Sequence, residues 1–207
     1  MYLRPFVVSL SNHERSCDYR PLKGSIGSRS NANQGNDFLA HLKMLRIQTE
    51  KNDDRHVIGL ISDTHGLIRP QALEALQGVE LIIHAGDIGK PEVIAALQHI
   101  AQVVAIKGNI DSGAWAKLLP DTKLVKAGGT RLFIIHNVRE LDCDPVARGF
   151  QVVVSGHSHK PSVSTRDGVL FVNPGSAGPR RFKLPVAVGK LFIQNKQVNA
   201  EIIELPV

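Results

Sequence analysis

Val57-Ile58-Gly59-Leu60-Ile61-Ser62-Asp63-Thr64-His65-Gly66 decides how the chain is read. Val57 to Ile61 is apolar except for Gly59, and a short apolar run of this kind suits a strand buried on both faces of a parallel or mixed sheet. Asp63 and His65 emerge past its C-terminal end, where open α/β sheets bind ligands. Carboxylate oxygen with imidazole nitrogen is a common donor set for a divalent transition metal. Alone, the pair is also compatible with an Asp that caps a helix beside an ordinary surface His. The metal reading therefore depends on ligands from distant parts of the chain.

Toward the C-terminus the pattern is regular. Pro70 opens a predicted helix through about Gln77, ended by Gly78, in keeping with Pro at helix starts and Gly after helix ends. Leu81 to Ala85 reads as a strand running into Gly86-Asp87. Pro91 opens a second helix with Val93, Ile94, Leu97 and Ile100 on one face, and Val103 to Ile106 reads as a third strand delivering Gly108-Asn109-Ile110-Asp111. Strands alternating with helices at this spacing predict right-handed βαβ units. Beyond Trp115 the pattern turns to hairpins. Thr122 to Lys126 and Arg131 to Ile135 flank Gly128-Gly129, the second strand ending at His136. A short helix is expected from Pro145 to Gly149, then a buried strand from Gln151 to Val154 that runs into Ser155-Gly156-His157-Ser158-His159. Val163 to Thr165 and Val169 to Val172 form another hairpin ending in Asn173-Pro174-Gly175-Ser176, and Ala187 to Ile193 with Val198 to Leu205 closes the chain.

The N-terminal side differs. Ser, Asn, Arg and Gly crowd Ser9 to Asn36 without helical or strand period, which predicts that residues 1–55 are a disordered or dispensable extension and that 56–207 is the domain. Phe38, Leu39, Leu42 and Leu45 have the spacing of a short amphipathic helix. Pro5 interrupts the first apolar stretch and no small-residue cleavage site follows, so a signal peptide is not expected. Met44 offers an alternative translation start, which would make the first 43 residues an artefact of the sequence's start.

Composition narrows the functional classes. The chain of 207 residues is long enough for a substantial core, and no apolar run approaches the roughly 20 residues that span a bilayer. A net charge of +6 is spread over scattered basic residues, and at 5% aromatic content there is no stacking platform for bases, so the charge reads as steering toward small anions rather than nucleic acid. Cys17 and Cys143 are isolated, match no zinc spacing and build no disulfide framework, which points to a reducing cytoplasm.

Five predicted strand ends thus carry Asp63 and His65, Asp87, Asn109, His136, and His157 with His159. Unrelated loop residues could explain any one of them, but not a whole set of oxygen and nitrogen donors. Two divalent ions about 4 Å apart need a bridging carboxylate and several terminal ligands, which this mixture supplies. Gly66, Gly86, Gly108 and Gly156 allow the tight turns of a crowded site.

In this order, Asp-x-His at 63–65, Gly-Asp at 86–87, Gly-Asn-x-Asp at 108–111, His136 and Gly-His-Ser-His at 156–159 resemble the calcineurin-like metallophosphoesterases, in particular their small bacterial and archaeal phosphodiesterases, to which the retromer scaffold subunit is also similar. The resemblance spans about His56 to Leu205. It implies an α/β fold of two mixed sheets packed face to face with helices outside, in four layers. It implies that Asp63, His65 and His159 hold one metal, that Asn109, His136 and His157 hold another, and that Asp87 bridges them. The implied activity is phosphodiester hydrolysis by a hydroxide formed from metal-bound water, with manganese expected and iron, zinc or nickel as alternatives. A small phosphate ester is the expected partner, no membrane is involved, and a homo-oligomer is compatible with the reading.

Two positions depart from the family pattern. Many relatives carry a His after the Asn, able to protonate a leaving group; Ile110 cannot, which favours diesters or good leaving groups. Asn137 follows His136 where relatives usually have Gly, which bears on the pose of His136. His84 either supports a ligand or is a satisfied buried histidine, and Asp111 either orients a ligand or caps a helix. Asn173 and Ser176 read as support for the last ligand loop. A scaffold of the retromer type is the alternative from another class, and a nuclease of the same superfamily is a third.

Overall fold

The computed structural model describes residues 55–207 apart from residue 182. The expectations for the extension 1–55, its short helix and Cys17 fall, Arg55 apart, outside the described residues. Ten strands and two α-helices follow in order: β1 (His56–Ile61), α1 (Pro70–Ala75), β2 (Leu81–His84), α2 (Pro91–Gln98), β3 (Gln102–Ala105), β4 (Thr122–Ala127), β5 (Thr130–Ile135), β6 (Val152–Val154), β7 (Ser162–Arg166), β8 (Val169–Asn173), β9 (Ala187–Gln194) and β10 (Gln197–Glu204). They form two mixed five-stranded sheets, ordered β10-β9-β1-β2-β3 and β4-β5-β6-β8-β7.

Each sheet is built around a parallel trio. β1, β2 and β3 run parallel, with Ile58 opposite Leu81 and Ile82 opposite Val103. β5, β6 and β8 do the same in the other sheet, with Leu132 opposite Val152 and Val152 opposite Leu170. The antiparallel strands β9 and β10, and β4 and β7, lie outside the trios. Alternation along β1 explains its near-continuous apolar sequence. Ile58 and Leu60 join Leu81, Ile83, Leu132, Ile134, Val152 and Val154 in the core between the sheets, whereas Ile61 joins Ala72, Leu76, Val93 and Leu97 in a second core beneath the helices. Both faces of the strand are therefore dry, as a parallel strand covered by helices requires.

On the outer face of the second sheet, short turns take the place of the helix expected from Pro145 to Gly149. Ile135, Val153 and Val169 pack with Val138 and Leu141, which belong to a 3₁₀ turn at Val138–Glu140 and its exit. The helix predicted from Pro145 to Gly149 is instead a set of turns, with Asp144 Oδ1 accepting from the Val146 amide and the Arg148 amide reaching the Asp144 carbonyl. Gly149, at φ +66°, stops the chain after one turn, too short for a helix to repay its nucleation. Likewise α1 ends at Ala75 rather than Gln77, its last turn tightening as the Gln77 amide bonds the Glu74 carbonyl. No helix among the described residues is long and apolar enough to cross a membrane.

Candidate metal centre

All candidate ligands lie at the C-terminal ends of the two parallel trios. Asp63 and His65 follow β1, Asp87 follows β2, Asn109 follows β3, His136 follows β5, and His157 and His159 follow β6. Backbone bonds cross between these loops: Asp63 N–H to Gly86 O at 3.0 Å, His65 N–H to Asp87 O at 2.9 Å, and Gly156 N–H to His136 O at 3.0 Å. Other contacts join the sheets. The His157 amide donates to Asp63 Oδ2 at 3.1 Å, and His136 Nδ1–H donates to Ala85 O at 2.7 Å. A Cβ at Gly156 would collide with the Ser62 hydroxyl and the Asp63 carboxylate, so only glycine lets this loop close on β1.

The side chains converge in two overlapping groups, Asp63–His65–His159 and Asp63–Asp87–His136. His65 Nε2 is 3.2 Å from His159 Nε2, and His159 Nε2 is 3.4 Å from Asp63 Oδ1. Asp87 divides its oxygens: Oδ2 faces His65 Nε2 at 3.8 Å, and Oδ1 faces His136 Nε2 at 3.4 Å. With Nδ1 committed as a donor to Ala85, the neutral His136 ring turns a lone pair at a carboxylate. The buried Nε2 has no hydrogen-bond partner, so a proton or a cation is needed there. Bonds of roughly 2.0–2.2 Å put two ligands of one ion about 3–4 Å apart, so these atoms fit a metal. His157 is exposed, its ring edge-on to His136 at 5.3 Å between centroids. Asn109 is also exposed, and its neighbours place it beside Asp87: the Ile110 amide donates to Asp87 Oδ1 at 3.1 Å, and Gly108 packs against the same carboxylate.

Electrostatics separates the candidate ligands. Burial pushes Asp63 up to about 6, against which the Ser62 hydroxyl, 2.6 Å from Oδ2, works only partly. Burial also works against the Asp87 carboxylate, but the His136 ring, the Ile110 amide and the charges of His136 and His65 outweigh it and hold Asp87 down at about 2. Burial lowers His65, and it lowers His159 to about 4 with help from the Arg181 and His65 charges. Burial lowers His136 as well, yet Asp87 and the Ala85 carbonyl raise it overall. At neutral pH the site thus presents ionised Asp63 and Asp87 beside neutral His65 and His159, the forms that bind a metal.

Residues 57–196 match the family described as the calcineurin-like phosphoesterase superfamily domain. The chain belongs to that superfamily. It is 33% identical over 159 residues to a probable metallophosphoesterase of Methanothermobacter thermautotrophicus, covering 71% of this chain and 91% of that one. Among solved structures it is similar to an archaeal phosphodiesterase, at 27% identity and a TM-score of 0.60, over 71% of this chain and 99% of the other. The fold alone is shared with vacuolar protein sorting 29 of Cryptosporidium parvum, at 19% identity and a TM-score of 0.59, over 74% of this chain and 99% of that one. Two mixed sheets with ligand-type residues at their parallel strand ends are therefore the superfamily's architecture in this chain.

Within this phosphoesterase domain the open assignments resolve. His84 is fully buried and burial holds it at about 3, hence neutral. The Gly86 amide donates to its Nδ1, so the proton sits on Nε2 and is given to Thr64 Oγ1, whose own hydrogen goes to Ile88 O. His84 therefore ties the Asp63–His65 loop to the Asp87 loop through Thr64 and the Gly86 amide. Asp111 does more than cap: its carboxylate accepts from Gly89 N–H at 2.7 Å, Gly108 N–H at 2.8 Å and Ile88 N–H at 3.1 Å. Asp111 clasps the β2 and β3 loops, and Asp87 returns the hold through the Ile110 amide. The Gly-Asn-x-Asp spacing carried this signal, but three amides on one carboxylate are set by folding and not by spacing.

Asn173 Nδ2–H donates to Gly156 O at 2.6 Å, and the Ser176 hydroxyl donates to Asp63 O at 2.8 Å, so both support ligand loops. Asn137 has φ −106°, a conformation open to any residue, and its Oδ1 accepts from Arg139 N–H. Glycine is thus not required after His136. Ile110 is 45% exposed and offers the site only its amide. Five candidate ligands, Asp63, His65, Asp87, His157 and His159, have φ between +48° and +66°. Such left-handed backbone is uncommon outside glycine and clusters at functional sites.

Proposed function

We propose that this protein is a phosphodiesterase that uses two divalent ions, one held by Asp63, His65 and His159, the other by Asn109, His136 and His157, with Asp87 between them. The observation that carries the reading is Asp87 itself, with one oxygen toward His65 and the other toward His136. Bound divalent ions would neutralise phosphoryl oxygens and acidify water for attack on phosphorus. The protein's part is to hold seven donors in place and to keep His65 and His159 unprotonated at neutral pH. Mixed nitrogen and oxygen donors suit manganese, with iron, zinc or nickel as alternatives. The working domain is taken as 56–207, with 1–55 a dispensable extension, and the setting as cytoplasmic.

Asp87→Ala should lose both bound metal and turnover of an aryl phosphodiester, checked by metal analysis beside the assay. A metal-loaded wild type that hydrolyses no such ester would shift the reading to an interaction scaffold. Ile110 favours diesters, because no proton donor stands there for a poor leaving group. An aryl diester should therefore be cleaved at least about tenfold better than the matching aryl monoester, a smaller factor than a positioned general acid contributes; a strong monoester preference would reverse this part of the proposal.

A further inference from the structure

Among the described residues β10 is the outermost strand of its sheet, and β7, the outermost of the other sheet, lies against it across the sandwich. β9 and β10 pair without a bulge from Gln194 opposite Gln197 to Ala187 opposite Glu204, about a two-residue turn in which Asn195 and Lys196 have φ +52° and +64°. The residues flanking such a turn form a hydrogen-bonded pair, and bonded pairs alternate with non-bonded ones along an antiparallel ladder. Gln197, Asn199, Glu201 and Ile203 therefore direct their backbone groups to β9. Val198, Ala200, Ile202 and Glu204 turn theirs to the free edge. The same row carries the apolar side chains that face the other sheet: Val198, Ala200 and Ile202 pack against the core but stay only partly buried. Val163 of β7, opposite the core residue Val172, is likewise 41% exposed.

The outermost strands are not alike. β3 has four residues, β4 carries Lys123 and Lys126, and β7 carries Arg166, and shortness and basic side chains both discourage pairing at an edge. β10 runs for eight residues with no Lys, Arg or Pro. Its charges are complementary to their own reverse. Lys196, just before the strand, and Glu204, at its end, bracket the apolar row, and neither forms an ion pair among the described residues. Laid antiparallel on a second β10 with Ala200 opposite Ala200, Val198 meets Ile202 and Lys196 comes level with Glu204. On the other face Asn199 meets Glu201, beside a groove lined by Arg55, Phe192, Gln194, Gln197 and Asn199, where the Arg55 guanidinium stands 5.3 Å from the Phe192 ring centre. Advancing the register by two residues would set Glu201 against Glu201, which like-charge repulsion disfavours.

We propose that β10 is a homodimer interface, at which two copies of this chain join their β10 strands antiparallel about a two-fold axis through Ala200 and continue one sheet into the other. Val198, Ala200 and Ile202 supply the interchain backbone bonds, and their side chains close into one apolar strip. Lys196 of each copy meets the partner's Glu204, and Arg55 faces the partner's Glu201.

Analytical ultracentrifugation of the full chain should show a dimer that forms in the micromolar range. Ala200→Pro removes an amide that points to the free edge and leaves the bonds to β9 in place, so dimer affinity should fall at least about tenfold while far-UV circular dichroism is unchanged. Glu204→Lys and Lys196→Glu each bring like charges together and should weaken the dimer on the order of tenfold, more in low salt than in high. The double exchange, Lys196→Glu with Glu204→Lys, should recover most of that loss, a rescue that misfolding does not imitate. A full chain that stays monomeric through the micromolar range, as it would if another segment of the chain covered the edge, would overturn the interface. A dimer indifferent to Ala200→Pro, or a charge exchange that rescues nothing, would overturn it equally.

Discussion

Asp63 is the residue where burial and chemistry conflict most openly. Its carboxyl stands at about 6 in the folded chain against an ordinary value of 3.8, because burial costs its charged form more than Ser62 and the His157 amide return. Between those values the metal-free native state holds a proton that the unfolded state has lost. Stability should therefore fall as pH rises from about 4 to about 6, by roughly 3 kcal/mol. Asp87, held at about 2, acts in the other direction and in a lower window: its contribution is complete above 3.8 and fades as pH drops toward 2. Urea unfolding of metal-free protein at stepped pH checks the sign, and Asp63→Asn should flatten the slope above pH 4. Each of these residues was legible in the sequence as a polar side chain at a strand end. Their left-handed backbone was not, because a positive φ at Asp or His is imposed by the fold around it and leaves no mark in composition or spacing.

The loops are held to one another more than to their own strands. Asp111 fixes the β2 loop against the β3 loop with three amide contacts, so Asp111→Asn, which turns one acceptor into a donor, should weaken metal binding about 10- to 100-fold although no proposed ligand is altered. Competition against a metal-sensitive dye measures this, and an unchanged affinity would reduce Asp111 to a structural cap. The strands themselves were readable because both faces are buried, and the hairpins because their turns carry Gly128-Gly129, Asp167-Gly168 and Asn195-Lys196. The helix expected at Pro145 failed where local signals mislead: Asp144 and Pro145 open a turn as readily as a helix, and Gly149 leaves no room to choose otherwise. Asn137 was suspected of disturbing His136 on pattern alone, whereas its observed φ shows that the backbone there never needed glycine.

At the scale of the molecule, the candidate centre is the seam between two sheets. Asp63 and Asp87 come from one sheet, and His136, His157 and His159 from the other. An ion held by both should therefore staple the sandwich. At a hundredfold excess over its dissociation constant, one bound ion adds about 2.7 kcal/mol, so manganese should raise the thermal midpoint by several degrees, and Asp87→Ala should abolish most of that gain. Calorimetry with and without chelator reads both. The parallel trios carry a further consequence. Because all six of those strands end at the ligand edge, the tight hairpins β4–β5, β7–β8 and β9–β10 all turn at the opposite edge, where β1, β5 and β8 begin. The molecule has a working end and a turning end. A fluorophore, an affinity handle or an inserted peptide placed at the exposed Asn195 would sit a full strand length from the chemistry, so the turning end is where the protein can be instrumented without being rewired.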